Sequence, residues 1–348
     1  MSDVESRRRE LVAGLFPEGF PRIWCPPLTH YREDGSIDFD RIGRHIDSLT
    51  PHINSFLIPG STGDGWELTI EEFKQVVDYA LNLCRKRDGI RVLIGLLRTE
   101  LDGMIECMNY VLENNRDEAS TWKADCYRCS GFKGFVICPP KGKGLSQDEI
   151  RDQMENILNL GYPIVLYQLP QITENEMSPD LVEYFCTKYF NCYMLKDSSG
   201  KDRVANADKD YRGLILVRGA EEDYSKMLKE SGGRYDGFLL STGNSFPEQL
   251  SMIVKYSVEG RQEEADNLSM RLSNVVREVF NMASSLPSGN AFTNSNKLID
   301  HIRAYGLNWR EHGDVRLHSG HTISQEMIAK VEEILKRNDL FPERGYLE

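Results

Sequence analysis

An α/β barrel of eight strand–helix units is the fold class this sequence predicts, and three observations carry that prediction. Eight short apolar runs recur over residues 21–250, most of them ending in polar or glycine-containing turns. Between them lie segments whose apolar residues return every three or four positions, the spacing of a helix with one buried face. Runs that are apolar throughout are what parallel strands covered on both faces require. Eight such units can close into a barrel. A doubly wound open sheet uses the same pattern, and periodicity does not separate the two. No G-x-G-x-x-G follows the first run, which weakens a dinucleotide-binding reading.

In order along the chain, residues 1–20 read as a leader helix or arm. Arg22-Ile23-Trp24-Cys25-Pro26-Pro27-Leu28-Thr29 is the first strand with its loop. Phe39, Ile42, Ile46 and Leu49 then share one helical face. The second strand, Ser55-Phe56-Leu57-Ile58-Pro59, runs into Gly60-Ser61-Thr62-Gly63-Asp64-Gly65. Thr69-Ile70-Glu71-Glu72 has the capping-box pattern and opens a helix. Strand three is Val92-Leu93-Ile94-Gly95-Leu96-Leu97, followed by a helix over about 101–113. Residues 114–130 are polar and irregular and look like an insertion. Strand four, Gly134-Phe135-Val136-Ile137-Cys138, leads through a proline- and glycine-rich turn to a helix capped by Ser146. Strand five, Pro163-Ile164-Val165-Leu166-Tyr167, ends in Gln168-Leu169-Pro170, and Ser178-Pro179 starts the next helix. Strand six is Cys192-Tyr193-Met194-Leu195-Lys196, strand seven Leu214-Ile215-Leu216-Val217, and strand eight Gly237-Phe238-Leu239-Leu240. Residues 251–348 read as a C-terminal helical region packed on the barrel, with helices over about 263–283 and 323–336.

Composition narrows the function. The 348 residues carry a net charge of -12, with 40% hydrophobic and 28% charged residues. That charge argues against nucleic acid as a partner, since phosphate binding calls for a basic face. No apolar stretch approaches the length of a membrane span. The charged start, Glu5-Ser6-Arg7-Arg8-Arg9-Glu10, lacks the apolar core of a secretory signal. Eight cysteines in a chain this long do not make a disulfide scaffold. A cytoplasmic protein with reduced thiols is expected. Cys126 and Cys129 form a C-x-x-C pair without a second pair or a nearby histidine, so no metal site is expected there.

The chemistry concentrates at the carboxyl ends of the strands, where a barrel of this class builds its site. Lys196 closes a buried strand. Such a lysine either snorkels to water or loses its charge, because burial disfavours the ammonium form. A neutral amine can attack a carbonyl and form a Schiff base. Ser61 and Thr62, between glycines, offer amides and hydroxyls that suit a carboxylate; a tight turn is the plainer reading. Tyr167 ends strand five and can move protons, or simply hold its hydroxyl in water. Glu221 and Glu222 follow strand seven, where acids also suit a helix N-terminus. Ser241 and Asn244 follow strand eight.

These motifs carry a resemblance. Gly60-Ser61-Thr62-Gly63-Asp64, Tyr167-Gln168-Leu169-Pro170 and Lys196-Asp197-Ser198-Ser199-Gly200 resemble, in that order, the GSTGE, YNxP and K[DE]xSG motifs of the dihydrodipicolinate synthase/N-acetylneuraminate lyase family of class I aldolases. The likeness runs over about residues 21–336 and is broken at 114–130. It implies a (β/α)8 barrel with additional C-terminal helices, with Lys196 as Schiff-base lysine and Tyr167 as catalytic tyrosine. It also implies substrate contacts from Ser61, Thr62, Gly219, Glu221, Glu222, Leu239, Ser241 and Asn244. A homo-oligomer, tetrameric by the family's habit, and no cofactor are further implications of the resemblance.

Two departures qualify the likeness. Pro140 and Lys141 stand where the family often has a tyrosine pair. Lys141 is therefore expected either to bind a second substrate carboxylate or to lower the pKa of Lys196 by like-charge repulsion. Ile172 stands where the synthases carry an arginine, which argues against dihydrodipicolinate synthesis. Gly219-Ala220-Glu221-Glu222 and Ser241-Thr242-Gly243-Asn244 resemble the lyase branch. The expected activity is cleavage of a 2-keto-3-deoxy sugar acid, or a related 2-keto acid, to pyruvate and an aldehyde. Dehydration of a sugar acid through the same Schiff base and a non-catalytic keto-acid-binding barrel are the alternatives.

Overall fold

The computed structural model describes residues 3–123 and 131–348. Its eight strands are β1 (Ile23–Trp24), β2 (Ser55–Leu57), β3 (Arg91–Gly95), β4 (Phe132–Ile137), β5 (Ile164–Gln168), β6 (Cys192–Asp197), β7 (Ile215–Arg218) and β8 (Gly237–Leu239). They run parallel in the order β1-β8-β7-β6-β5-β4-β3-β2. A parallel bridge between Cys25 and Phe56 joins β1 to β2 and closes the ring. The fold is an α/β barrel with C-terminal helices.

The two-residue period of a strand sorts side chains between two cores. Leu57, Leu93, Val165, Met194, Val217 and Leu239 point into the barrel. Phe56, Ile94, Leu166, Leu195, Leu216 and Phe238 point out against the helices. The helix Asp3–Leu15 stops the amino end of the barrel: Leu11, Leu15 and Phe16 join the interior cluster beside Trp24 and Tyr193. Arg8 of that helix is fully buried and donates to the carbonyls of Cys186, Tyr189 and Cys192, each at 2.7 Å.

The helices Ile70–Lys86 and Gln147–Leu158 both carry the predicted capping boxes, Thr69 with Glu72 and Ser146 with Glu149. After β6 and β7 the helices shrink to single turns, Arg203–Asn206 and Tyr224–Met227. The helix Gln262–Ala283 packs against the second of these turns and covers that side instead. In the stretch read as an insertion, a turn of helix, Arg116–Ala119, is followed by Trp122 stacked on Phe132 at 4.4 Å. Cys126 and Cys129 lie outside the described residues.

Within the region read as helical, one helix shows no amphipathic pattern. Ala291–Tyr305 is buried along almost its whole length, although Thr293, Asn294, Asn296, Lys297, Asp300 and His301 are polar. It has no single apolar face because partners meet it on every side. Those partners include the turn after β2, through Lys297 Nζ to Asp64 Oδ2 at 2.9 Å. Among the described residues no helix is long and apolar enough to cross a membrane.

Candidate active site

Lys196 and Tyr167 are paired in register on adjacent strands, β6 and β5. Each lies two residues beyond an inward-facing side chain, Met194 and Val165, so both project into the barrel. Lys196 Nζ sits 3.9 Å from the centroid of the Tyr167 ring. Lys196 is only 4% exposed, and burial pulls its pKa from the ordinary 10.5 to about 7; Cys138, Glu221 and Cys25 push weakly the other way. At neutral pH about half of the amine is therefore unprotonated and able to attack a carbonyl.

Gly219 makes room for this lysine. A Cβ there would stand 2.1 Å from Ser198 Oγ and 2.7 Å from Lys196 Cε. Burial drives the phenol of Tyr167 well above its ordinary value, with the hydroxyls of Ser198 and Ser61 opposing in part. Tyr167 therefore keeps its proton and can give it to a developing oxyanion. Ser198 Oγ is buried and faces the Tyr167 phenol, with no other partner among the described residues.

The turn after β2 is a 3-10 helix, Ser61–Gly63. The amides of Gly63 and Gly65 both donate to Gly60 O, at 3.0 and 2.9 Å. Those of Ser61 and Thr62 head the turn, where N–H groups have no partner within the helix. The turn is held from outside: Asn290 Nδ2 donates to Ser61 Oγ at 3.2 Å, and Thr293 Oγ1 donates to Ser61 O at 3.3 Å. Behind it, Asp64 at φ 58° accepts from Tyr31 OH at 3.0 Å and pairs with Lys297.

Ser61, Thr62, Tyr167, Lys196, Gly219, Glu221, Glu222, Leu239 and Ser241 all line one cavity of about 770 Å³. Glu221 Oε1 accepts from Ser241 Oγ at 2.5 Å and Thr242 N at 3.1 Å; Oε2 accepts from Thr242 Oγ1 at 2.6 Å and Tyr224 OH at 2.9 Å. Its carboxylate is thus committed to the protein. Glu222 reaches the rim and pairs with Arg277.

Two candidates stand apart from the cavity. Asn244 is fully buried: its Oδ1 accepts from Leu28 N at 3.0 Å, and its Nδ2 donates to Pro26 O and Ser241 O, both at 2.9 Å. It stitches the turn after β8 to that after β1. Lys141 lies outside the cavity wall, half-exposed and 3.3 Å from Glu174. The fall in the Lys196 pKa comes from burial, and Lys141 is not among its causes.

Sequence reasoning passed over Asn290, Val276, Arg277, Phe280 and Phe292, which reach the cavity from the C-terminal helices. No motif announces them. Ser198 was legible as part of the Lys196 motif but had no role until its buried hydroxyl was seen. A possible ligand set among the described residues is His30, His45 and Asp300. Arg41 NH2 already occupies Asp300 Oδ2 at 2.8 Å, so the carboxylate is neutralised without a metal.

The barrel carries Lys196 and Tyr167 at the carboxyl ends of β6 and β5, and its family match makes the class an α/β-barrel enzyme of the lyase type. The Dihydrodipicolinate synthetase family model matches residues 19–291, and the chain belongs to that family. A 4-hydroxy-tetrahydrodipicolinate synthase of Methanococcus aeolicus is 21% identical over 270 residues, covering 77% of this chain and 85% of the relative. Among solved structures, the E. coli K12 prophage protein YagE, in complex with pyruvate, superposes with a TM-score of 0.69 at 19% identity, covering 92% of this chain and 99% of that one. A Sulfolobus 2-keto-3-deoxygluconate aldolase in complex with D-KDPG gives a TM-score of 0.67 at 16% identity, covering 92% and 96%. At these identities the structural likeness speaks for the fold.

Proposed function

We propose that the protein is a pyruvate-type class I aldolase working through a Schiff base on Lys196. The observation that carries this reading is the buried Lys196 amine, with a pKa of about 7, over the Tyr167 ring in a cavity shared with the Ser61–Thr62 turn. The amides of Ser61 and Thr62 hold the carboxylate of a 2-keto acid. The neutral amine adds to its ketone, and Tyr167 hands over the proton with which water leaves. The Tyr167 oxygen then takes the C4 hydroxyl proton as the iminium draws in the electrons of the C3–C4 bond, an aldehyde departs, the enamine takes that proton back at C3, and hydrolysis returns pyruvate and the free lysine. The hydroxyls of Ser61 and Ser198 beside Tyr167 carry protons onward, in place of a tyrosine at Pro140 or Lys141.

A 2-keto-3-deoxy sugar acid is the finer expectation, and the acid and hydroxyl of Glu221 and Ser241 on the cavity wall support it. Against it, these groups already bond to one another. Dehydration would use the same Schiff base. A non-catalytic barrel is disfavoured by a lysine kept so costly to bury. We further propose a cytoplasmic homotetramer, on family likeness; the free thiols of the six described cysteines suit a reducing compartment.

Borohydride reduction with pyruvate, followed by peptide mass spectrometry, tests the reading. A covalent adduct on Lys196, absent from Lys196→Ala, is expected. An adduct on another lysine, or none, rejects it.

A further inference from the structure

The cavity has two unlike halves. Its floor is polar, with Lys196, Tyr167 and the Ser61–Thr62 turn. Its outer half is walled by Leu169, Ile172, Val276, Phe280 and Phe292. The two phenylalanines come from the helices Gln262–Ala283 and Ala291–Tyr305, with ring centroids 4.4 Å apart and planes inclined at 40°. Both are half-buried, and neither belongs to either hydrophobic cluster formed by the described residues. Aromatic surface left facing a cavity forgoes the gain that burial would bring. A ligand covering it restores that gain.

Several of the polar groups around this half are already engaged, although Glu67, Ser198 and Asn281 also line the cavity. Glu221 accepts four hydrogen bonds from the protein. Asn290 is used at both ends, donating to Ser61 Oγ and accepting from Phe292 N at 2.8 Å. Gln171 Nε2 donates to Ser198 O at 3.2 Å. A polyhydroxylated chain would bring hydroxyls that find few free partners, and unmade hydrogen bonds cost affinity. A phosphate or second carboxylate would meet Glu67, Glu221 and Glu222, with Arg277 already paired to Glu222. The space of about 770 Å³ is far more than pyruvate fills.

We infer that the substrate carries, beyond the bond that breaks, an uncharged aromatic group lying against Phe280 and Phe292. This rests on the Schiff-base reading of Lys196 given above. For a 4-hydroxy-2-oxo-4-arylbutanoate the amine adds at C2 and water leaves. The Tyr167 oxygen, left deprotonated when water departed, takes the C4 hydroxyl proton, the C3–C4 electron pair moves into the iminium, and the aryl aldehyde departs. The enamine takes a proton at C3, and water releases pyruvate.

The test uses the full chain with two substrates, 4-hydroxy-2-oxo-4-phenylbutanoate and 2-keto-3-deoxygluconate, with pyruvate followed by chromatography. We expect kcat/KM at least about ten-fold higher on the phenyl compound, the scale of apolar pocket discrimination. Phe280→Ser and Phe292→Ser should each lose about ten-fold on it. The borohydride adduct with pyruvate, too small to reach the outer half, reports whether each variant has folded its site. Preference for the sugar acid, or no cleavage of the phenyl compound while the adduct forms, overturns the inference. Failure of the wild-type adduct overturns the Schiff-base reading beneath it.

Discussion

Replacing Lys196 by methionine should end the proposed chemistry and make the protein more stable. The lysine is 4% exposed, and burial dominates its surroundings. Burial lowers its pKa from 10.5 to about 7, whereas the unfolded chain returns it to the ordinary value. Between those two pH values the unfolded chain holds a proton that the folded chain has given up. Stability therefore rises with pH across that window, and the penalty is complete at and below its lower end. At about 1.4 kcal/mol per tenfold, the penalty at pH 7 is about 4 kcal/mol, reduced to about 2–4 kcal/mol if water enters the cavity. Methionine has a similar length and no charge to desolvate. For a chain of this size, about 2–4 kcal/mol corresponds to a Tm rise of about 3–6 °C. Calorimetry of parent and variant at pH 7 and pH 9.5 would measure the gap. It should narrow at the higher pH, because the proton that only the unfolded chain still holds is bound less favourably as pH rises. A variant no more stable than the parent at pH 7, or a gap indifferent to pH, would refute the reasoning.

Three further outcomes are expected. The rate of borohydride trapping should fall about five-fold between pH 7 and pH 6, as the neutral amine drops from about a half to about a tenth; Lys141→Ala should leave that profile in place, since Lys141 is paired with Glu174 outside the cavity. Gly219→Ala should slow trapping by about a hundred-fold, because its Cβ would displace the Lys196 side chain; adding Ser198→Ala should not rescue it, since the clash with Lys196 Cε remains. Asp64→Asn leaves Lys297 buried without its charge partner and should cost about 3–5 kcal/mol in thermal unfolding, with KM for the keto acid raised because the Ser61–Thr62 turn loses its backing.

The barrel was legible because its strands are short, wholly apolar and regularly spaced, a pattern that water imposes on any sheet covered on both faces. Lys196, Tyr167 and the turn at Ser61 were legible for a related reason. Each is polar chemistry at the end of an apolar run, where the chain has no packing use for it. The two-residue period even settles which way Lys196 and Tyr167 face, once Met194 and Val165 are known to point inward. Asn244 and Lys141 show where that logic stops. Both lie near strand ends, yet one is consumed by carbonyls of its neighbours and the other turns to Glu174.

What the sequence by itself determined is the alternation of strands and helices and the identity of the groups at the strand ends, because both are local consequences of periodicity and polarity. Only the tertiary structure decided which groups remain free to meet a substrate, and what walls the space above them. Phe280 and Phe292 belong to different helices, and the second of these has no apolar face to betray it. Their meeting is a long-range contact, fixed by how the C-terminal helices close over the barrel, and no pattern within either segment contains it.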